Sequence, residues 1–401
     1  MVSQQRVLSG MRVSGKLHLG HYHGVLKNWV QLQHEHECFF FAADLHGLTT
    51  HYDDTRFLEE NIWDMIIDWL SAGVDPNLAT VFIQSRVLEH AELALLLGMN
   101  VPLSWLERVP TYKDQIEKLK DRDLGTYGFL GYPLLMSADI LVYRAGLVPV
   151  GEDQLPHLEI TREIARRFNN FYGREPNFAE KAEAAIKKAG KKTAQLYFDL
   201  RKRYQEQGDH EALEVGKALI ASQANLNINE QELLLGYLDG GGKAILPEPE
   251  ALLTPQAKFP GLDGEKMSKS YGNAINLRDD DASIETKIKT MPTDPARVRR
   301  TDPGEPEKCP VWAFHQVYST PEVKAWVQTG CRTAGIGCLE CKRPVIDAIK
   351  LELKPLRERA KAFETNPSLV RNIVAEGTEK AREAARSTMQ DVKHAMGLLY
   401  R

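Results

Sequence analysis

Two short clusters in the sequence have residue types suited to one kind of chemistry. Residues 18–21 read His-Leu-Gly-His and residues 266–270 read Lys-Met-Ser-Lys-Ser. The first falls where the loop after an N-terminal strand-like segment enters a helical pattern. A helix start there offers unpaired N–H groups and the positive end of a dipole to an anion. Gly20 leaves room for a flat ring against the backbone, and His18 and His21 can donate to phosphate oxygens as charge builds on them. The second cluster lies in a Gly-, Pro- and Lys-rich loop over 258–272. There Lys266 and Lys269 can grip a triphosphate and stabilise a departing pyrophosphate, and a loop of this kind can close when the nucleotide binds. Either cluster alone also reads as an ordinary solvated turn, and it is their joint occurrence that points to phosphate chemistry. A third cluster is Cys309, Cys331, Cys338 and Cys341, spaced C-x21-C-x6-C-x2-C. On ligand count, four thiolates suit structural zinc and an iron–sulfur cluster equally. Cys38, alone in an apolar run, reads as a buried core thiol.

The elements that must position these groups follow from periodicity. Residues 6–10 read as a short strand breaking at Ser9-Gly10, and a helix is expected from about Leu19 to Leu32. Residues 38–45 and 80–85 form continuous apolar runs, as central parallel strands do. Between them, Leu58, Ile62, Met65, Ile66 and Trp69 fall on one helical face within 55–72. A helix beginning near Leu134, a short strand over 147–150, a turn at Gly151 and a helix from Leu155 follow. Strands alternating with helices predict an α/β fold, a Rossmann-like doubly wound parallel sheet, with a helical insertion and a C-terminal all-helical domain. The Ala-, Lys- and Glu-rich stretch 178–237 is expected to be an inserted helical hairpin. Pro292, Pro295, Pro303 and Pro306 suit an inter-domain linker. The expected divisions are 1–170 for the nucleotide-binding domain, 171–257 for the insertion, 258–290 for the lysine loop and 291–401 for the helical domain.

Composition limits the class. The chain has 401 residues, 43% hydrophobic and 26% charged, with a net charge of −4, as in an ordinary globular protein. No apolar run approaches the roughly 20 residues of a membrane span, and the N-terminus lacks the apolar centre of a secretory signal, so a cytoplasmic location is expected. Charge is unevenly spread: residues 342–401 hold 13 Lys and Arg against 8 Asp and Glu, and Arg297, Arg299 and Arg300 form a second basic cluster. Such patches serve equally as solvated helix surface or as a footprint for a phosphate backbone.

Together the two phosphate-handling motifs match the class I aminoacyl-tRNA synthetases. Nearly the whole chain resembles the bacterial tryptophanyl members, in LSGMRVSGKLHLGHYHG, AADLHGLT, SWLERVPTYK, YPLLMSADIL and VPVGEDQLPHLE. The resemblance implies activation of L-tryptophan with ATP and Mg²⁺ to tryptophanyl-adenylate and pyrophosphate, then transfer to tRNA(Trp), by a homodimer without membrane association. It carries ATP contacts onto Arg12, Val13, Ser14, Gly20, His21, Gly151, Glu152, Asp153, Lys266, Met267, Ser268, Lys269 and Ser270, with His18, Gly20, His21, Lys266 and Lys269 catalytic. It carries tryptophan contacts onto Gly10, His46, Tyr132, Met136, Asp139, Val148, Val150 and Gln154. Residue chemistry agrees: Asp139 can accept the single indole N–H, and Met136, three residues earlier, offers a polarizable thioether to the ring. Val13 stands where the family has proline. The text around the four cysteines resembles the subgroup with a 4Fe–4S cluster, within a region that the resemblance makes anticodon-binding, which favours iron–sulfur over zinc.

Overall fold

The computed structural model describes residues 5–13, 15–109, 125–173, 177–240, 242, 244–253 and 259–400. Its sheet has five strands, β1 (Arg6–Arg12), β2 (Glu37–Ala43), β3 (Ala79–Ile83), β4 (Leu147–Val150) and β5 (Glu250–Leu253), in the order β3-β2-β1-β4-β5. β2 and β3 pair in parallel from Cys38↔Ala79 to Ala42↔Ile83, and β1 pairs in parallel with β4 at Val7↔Leu147. The run from Cys38 to Ala43 is buried throughout, which is why its pattern is continuous rather than alternating. β1 does not break at Ser9-Gly10 but continues to Arg12. Gly10 instead marks a close approach, since a Cβ there would lie 2.3 Å from Phe41 Cζ. β5 escaped the sequence reading because its half-exposed residues carry no alternation.

The chain divides into two compact units. Among the described residues, the first comprises those of 9–83 and 253–378, and the second those of 5–8, 84–252 and 379–401.

In the first unit, Trp29 stacks on Phe40 with centroids 4.2 Å apart and meets Trp69 edge-on at 5.1 Å. Trp69 belongs to the Leu58–Ala72 helix, whose Ile62, Met65 and Ile66 are buried as their spacing predicts. That helix stops at left-handed Gly73, φ 115°, whose N–H returns to Leu70 O. The stretch expected as one helix from Leu19 to Leu32 is interrupted: Leu19–His21 and Lys27–Leu32 are α-helical, and Tyr22–Leu26 is a π-turn between them. After the proline-rich stretch, which falls inside this unit and not between two, come helices Pro310–Tyr318, Pro321–Arg332 and Cys338–Glu364.

In the second unit, the Tyr132–Val142 helix precedes β4 and the Leu155–Tyr172 helix follows it. The first begins two residues before the expected Leu134, with Pro133 in its first turn. The expected hairpin is instead four helices, Phe178–Lys188, Lys191–Gln207, His210–Ala221 and Ile228–Asp239. They share their own core of Ala182, Ile186, Tyr197, Ile220, Leu234 and Leu238. The breaks fall at Gly190 and Gly208, both at positive φ, and at the Asn227 N-cap with its Glu230 capping box. Among the described residues no helix is long and apolar enough to cross a membrane.

Candidate active site

In the first unit β1 hands the chain to the loop that carries the His-Leu-Gly-His residues. His18 is the N-cap of the Leu19–His21 turn: its Nδ1 accepts the Gly20 N–H at 3.1 Å, and His21 Nδ1 accepts the His18 N–H at 3.3 Å. An Nδ1 that accepts carries no proton, so each neutral ring holds its proton on Nε2. Burial first, then the charges of Lys269 and Lys266, push His18 down to about 4. Burial, His18 and the same two lysines push His21 down to about 3. Both rings are therefore neutral Nε2–H donors near pH 7, and their centroids lie 3.9 Å apart.

The lysine loop is tied to this turn by backbone. Leu19 N–H donates to Ile275 O and Leu277 N–H to Leu17 O, each at 3.0 Å. Within the loop Met267 N–H donates to Phe259 O, Ser268 N–H to Asn273 Oδ1 at 2.7 Å, and Asn273 Nδ2 to Asp263 Oδ1 at 2.8 Å. Met267 is buried, and a Cβ on Gly20 would stand 3.7 Å from its Cβ and 3.0 Å from the His18 ring. A side chain at position 20 would press first on the His18 ring and only then meet Met267. Lys269 opens the short turn Lys269–Tyr271. Burial lowers it to about 8, with Asp68 acting in the opposite direction. Gly15, φ 91°, takes a backbone form that disfavours side chains, and a Cβ there would lie 3.7 Å from Lys269 Nζ.

Asp68, Arg278 and Asn273 were missed by sequence reasoning. Asp68 is buried on the Leu58–Ala72 helix; its Oδ2 accepts the Leu17 N–H at 3.1 Å and its Oδ1 the Arg278 Nε–H at 2.8 Å. Arg278 also reaches Asp64 and Glu364. The signal was an acid inside an otherwise apolar helical face. Of the remaining expected residues here, Arg12 is exposed, Val13 buried and His46 half-buried, while Ser14 lies outside the described residues.

The second unit holds the other expected pocket residues. Tyr132, Met136 and Asp139 share one helical face by their spacing of four and three. Tyr132 OH is 3.0 Å from His157 Nε2. Val148 and Val150 are buried on one side of β4. Gly151 is buried, Glu152 and Asp153 are exposed, and Gln154 Nε2 donates to Asp153 Oδ2 at 3.0 Å. Asp139 is 1% exposed. Its Oδ1 and Oδ2 accept from Gln84 Nε2 at 2.8 and 2.9 Å, and Oδ1 is 2.6 Å from His90 Nδ1. His90 Nε2 in turn is 2.8 Å from Tyr143 OH. Neither Gln84 nor His90 figured in the sequence reading.

Back in the first unit, Cys309 caps the Pro310–Tyr318 helix, Cys331 lies in the last turn of Pro321–Arg332, and Cys338 and Cys341 lie in the first turn of Cys338–Glu364. Burial and then the other three thiols push Cys341 up to about 12. Positive groups surround them: Arg297 NH1 is 3.7 Å from Cys331 Sγ, and buried Lys342 donates to Met291 O at 2.6 Å. His315 Nε2 is 3.3 Å from Cys341 Sγ. A Cβ on Gly304 would come within 2.8 Å of Cys331 Sγ. Among the described residues no three His, Cys, Asp or Glu side chains gather closely enough to hold one metal ion.

The His-Leu-Gly-His turn is laced by backbone to the lysine loop beside a parallel sheet, and similarity to known proteins gives the class. The family model for tRNA synthetases class I (W and Y) matches residues 3–193 and 219–354, and the chain belongs to that family. It is 64% identical over 396 residues to the tryptophan–tRNA ligase of Ralstonia nicotianae, covering 99% of each chain. With the tryptophan–tRNA ligase of Thermotoga maritima it shares 44% identity over 397 residues, covering 98% of this chain and all of the relative. The tryptophanyl-tRNA synthetase of Campylobacter jejuni, solved with ADP and tryptophan, superimposes with a TM-score of 0.73 at 28% identity, covering 98% of this chain and 100% of that one.

Proposed function

We infer that the protein is a tryptophan–tRNA ligase. It joins L-tryptophan to ATP as tryptophanyl-adenylate, releases pyrophosphate, and then transfers tryptophan to tRNA(Trp). One observation carries the reading beyond family likeness: two neutral imidazoles and the cation Lys269 converge where the lysine loop is laced to the histidine turn. In the first step a tryptophan carboxylate oxygen attacks the α-phosphorus, and the bond to the bridging oxygen breaks as pyrophosphate leaves. His18 and His21 supply uncharged Nε2–H donors to phosphate oxygens, so they bind without competing for a proton. Lys266 and Lys269 follow the charge onto the pyrophosphate, whose Mg²⁺ shares the load. Arg12, Val13, Ser14, Gly20, Gly151, Glu152, Asp153, Met267, Ser268 and Ser270 complete the ATP contacts. Gly10, His46, Tyr132, Met136, Val148, Val150 and Gln154 hold tryptophan, and Asp139 accepts its indole N–H. The test is pyrophosphate exchange with each amino acid in turn. Tryptophan alone supports exchange, and equal support by tyrosine or phenylalanine overturns the assignment.

The four cysteines suit a 4Fe–4S cluster in donor chemistry: four thiols that feel one another's charge, faced by Arg297 and Lys342. When bound, such a group would cross-link a helical segment, tying the starts of Pro310–Tyr318 and Cys338–Glu364 to the end of Pro321–Arg332. That segment orders the tRNA-binding helical domain over 291–401. Assembly as a homodimer is supported by Leu95 (60% exposed), Met99 (66%) and Leu103 (60%), a larger apolar patch than a solvated helix surface needs. The place of action is the cytoplasm, where tRNA and ATP are found together.

A further inference from the structure

We propose that His90, held from behind by Tyr143, is a positioning residue that keeps Asp139 a fixed acceptor and thereby sets discrimination for the indole N–H. The proposal rests on the reading that Asp139 meets the indole, and it names what makes that acceptor selective. Asp139, His90, Gln84 and Tyr143 are all at most 1% exposed, so water does not orient the carboxylate. Protein does. Gln84, in the turn after β3, donates to both oxygens, and His90, from the Glu89–Gly98 helix, stands at 2.6 Å on Oδ1. Two elements thus clamp a side chain carried on a third.

Asp139 and Tyr143 together set the form of His90: a carboxylate only accepts, so the Nδ1 that faces it carries the proton. Burial, then Asp139 and Glu89, hold the phenol neutral, so its O–H is available to donate to His90 Nε2 across 2.8 Å. A ring that accepts at Nε2 carries its proton on Nδ1 and presents that proton to Asp139. The carboxylate then stays an acceptor pointing one way. A protonated carboxyl would instead offer an O–H, which a ring without a donor tolerates as well as one with it. The cost of leaving such a buried acceptor unmatched is what rejects isosteres.

The probe is the tryptophan isostere with sulfur in place of the indole N–H. The quantity read is the ratio of kcat/KM for tryptophan to that for the isostere, in pyrophosphate exchange on the full-length protein. His90→Leu lowers this ratio by roughly 10- to 100-fold, the span of a hydrogen bond to a charged group. Tryptophan KM rises and the isostere's kcat/KM improves, with ATP KM unchanged. His90→Asn, whose amide can donate from the Nδ1 position, recovers most of the ratio, and Tyr143→Phe gives an intermediate loss. If Asp139→Ala collapses the ratio while His90→Leu leaves it at the wild-type value, the inference is wrong and the reading of Asp139 stands. If Asp139→Ala itself preserves the ratio, the indole is read elsewhere and both fall. Equal losses for the two substrates reduce His90 to a structural part and overturn the proposal. Should His90→Leu fail to fold, Tyr143→Phe decides alone: a wild-type ratio there overturns it.

Discussion

Replacing Asp68 by Asn separates the stability of the first unit from the placement of its phosphate turn. The buried carboxylate accepts from Leu17 N–H and from Arg278 Nε, and hydrogen bonds to a charged group contribute about 1.5–3 kcal/mol each. Asn keeps the shape and one acceptor, but its NH₂ turns toward a donor and leaves one of the two unmatched. Against that loss stands the cost of the buried charge: burial raises Asp68 from 3.8 to about 6, with Arg278 pulling it back. A shift of that size disfavours the ionised form by about 3 kcal/mol, and Asn removes the penalty. The two effects nearly cancel at neutral pH, so the melting temperature should move by no more than about 3 °C. A raised carboxyl contributes stability that is complete below its unfolded pKa and lost as pH rises through about 6. The variant should therefore compare worse with wild type at pH 5 than at pH 7.5. Function should not be spared, because Leu17 adjoins His18: ATP KM should rise about tenfold, the value of one lost anchor. Melting curves at both pH values and ATP titrations of pyrophosphate exchange read these quantities. Wild-type ATP kinetics in a stably folded Asp68→Asn would refute the claim that this carboxylate places the turn.

Three further outcomes follow from the same geometry. With Lys269 near 8, kcat/KM for ATP should fall above pH 8 as the ammonium is lost, and Lys269→Arg should move that limb beyond pH 9; coincident limbs count against Lys269 as the titrating cation. Protein purified without oxygen should be brown with about four irons per chain, and Cys338→Ser should lose the colour and tRNA charging but keep tryptophan activation. Colourless anaerobic protein with one zinc, or equal loss of both half-reactions, contradicts this. Leu95→Glu with Met99→Glu should halve the mass seen by light scattering at micromolar concentration, whereas a wild-type monomer removes the dimer altogether.

What was legible in the sequence was what the chain writes contiguously. The apolar runs of β2 and β3 are both-faces-buried strands, and the four residues from His18 are a turn whose capping is local, His18 to Gly20 and His21 to His18. Tyr132, Met136 and Asp139 could be placed on one face because helical spacing alone decides it. The partners that give these residues their chemistry are remote: Leu17 and Arg278 lie 51 and 210 positions from Asp68, and Gln84 and His90 lie 55 and 49 from Asp139. No local pattern announces such pairings. The insertion was misread for another reason. Its helices are rich in charged residues throughout, so the breaks at Gly190 and Gly208 were the better guide than composition.

The central claim is that Lys269, beside the neutral His18 and His21, drives adenylate formation rather than tryptophan binding. It is tested most directly by single-turnover formation of tryptophanyl-adenylate in wild type and Lys269→Ala, alongside tryptophan affinity by fluorescence. A contact that strengthens only in the transition state predicts a rate lower by about 10²–10³-fold with tryptophan Kd unchanged. An unaltered rate, or a loss confined to tryptophan affinity, would contradict it.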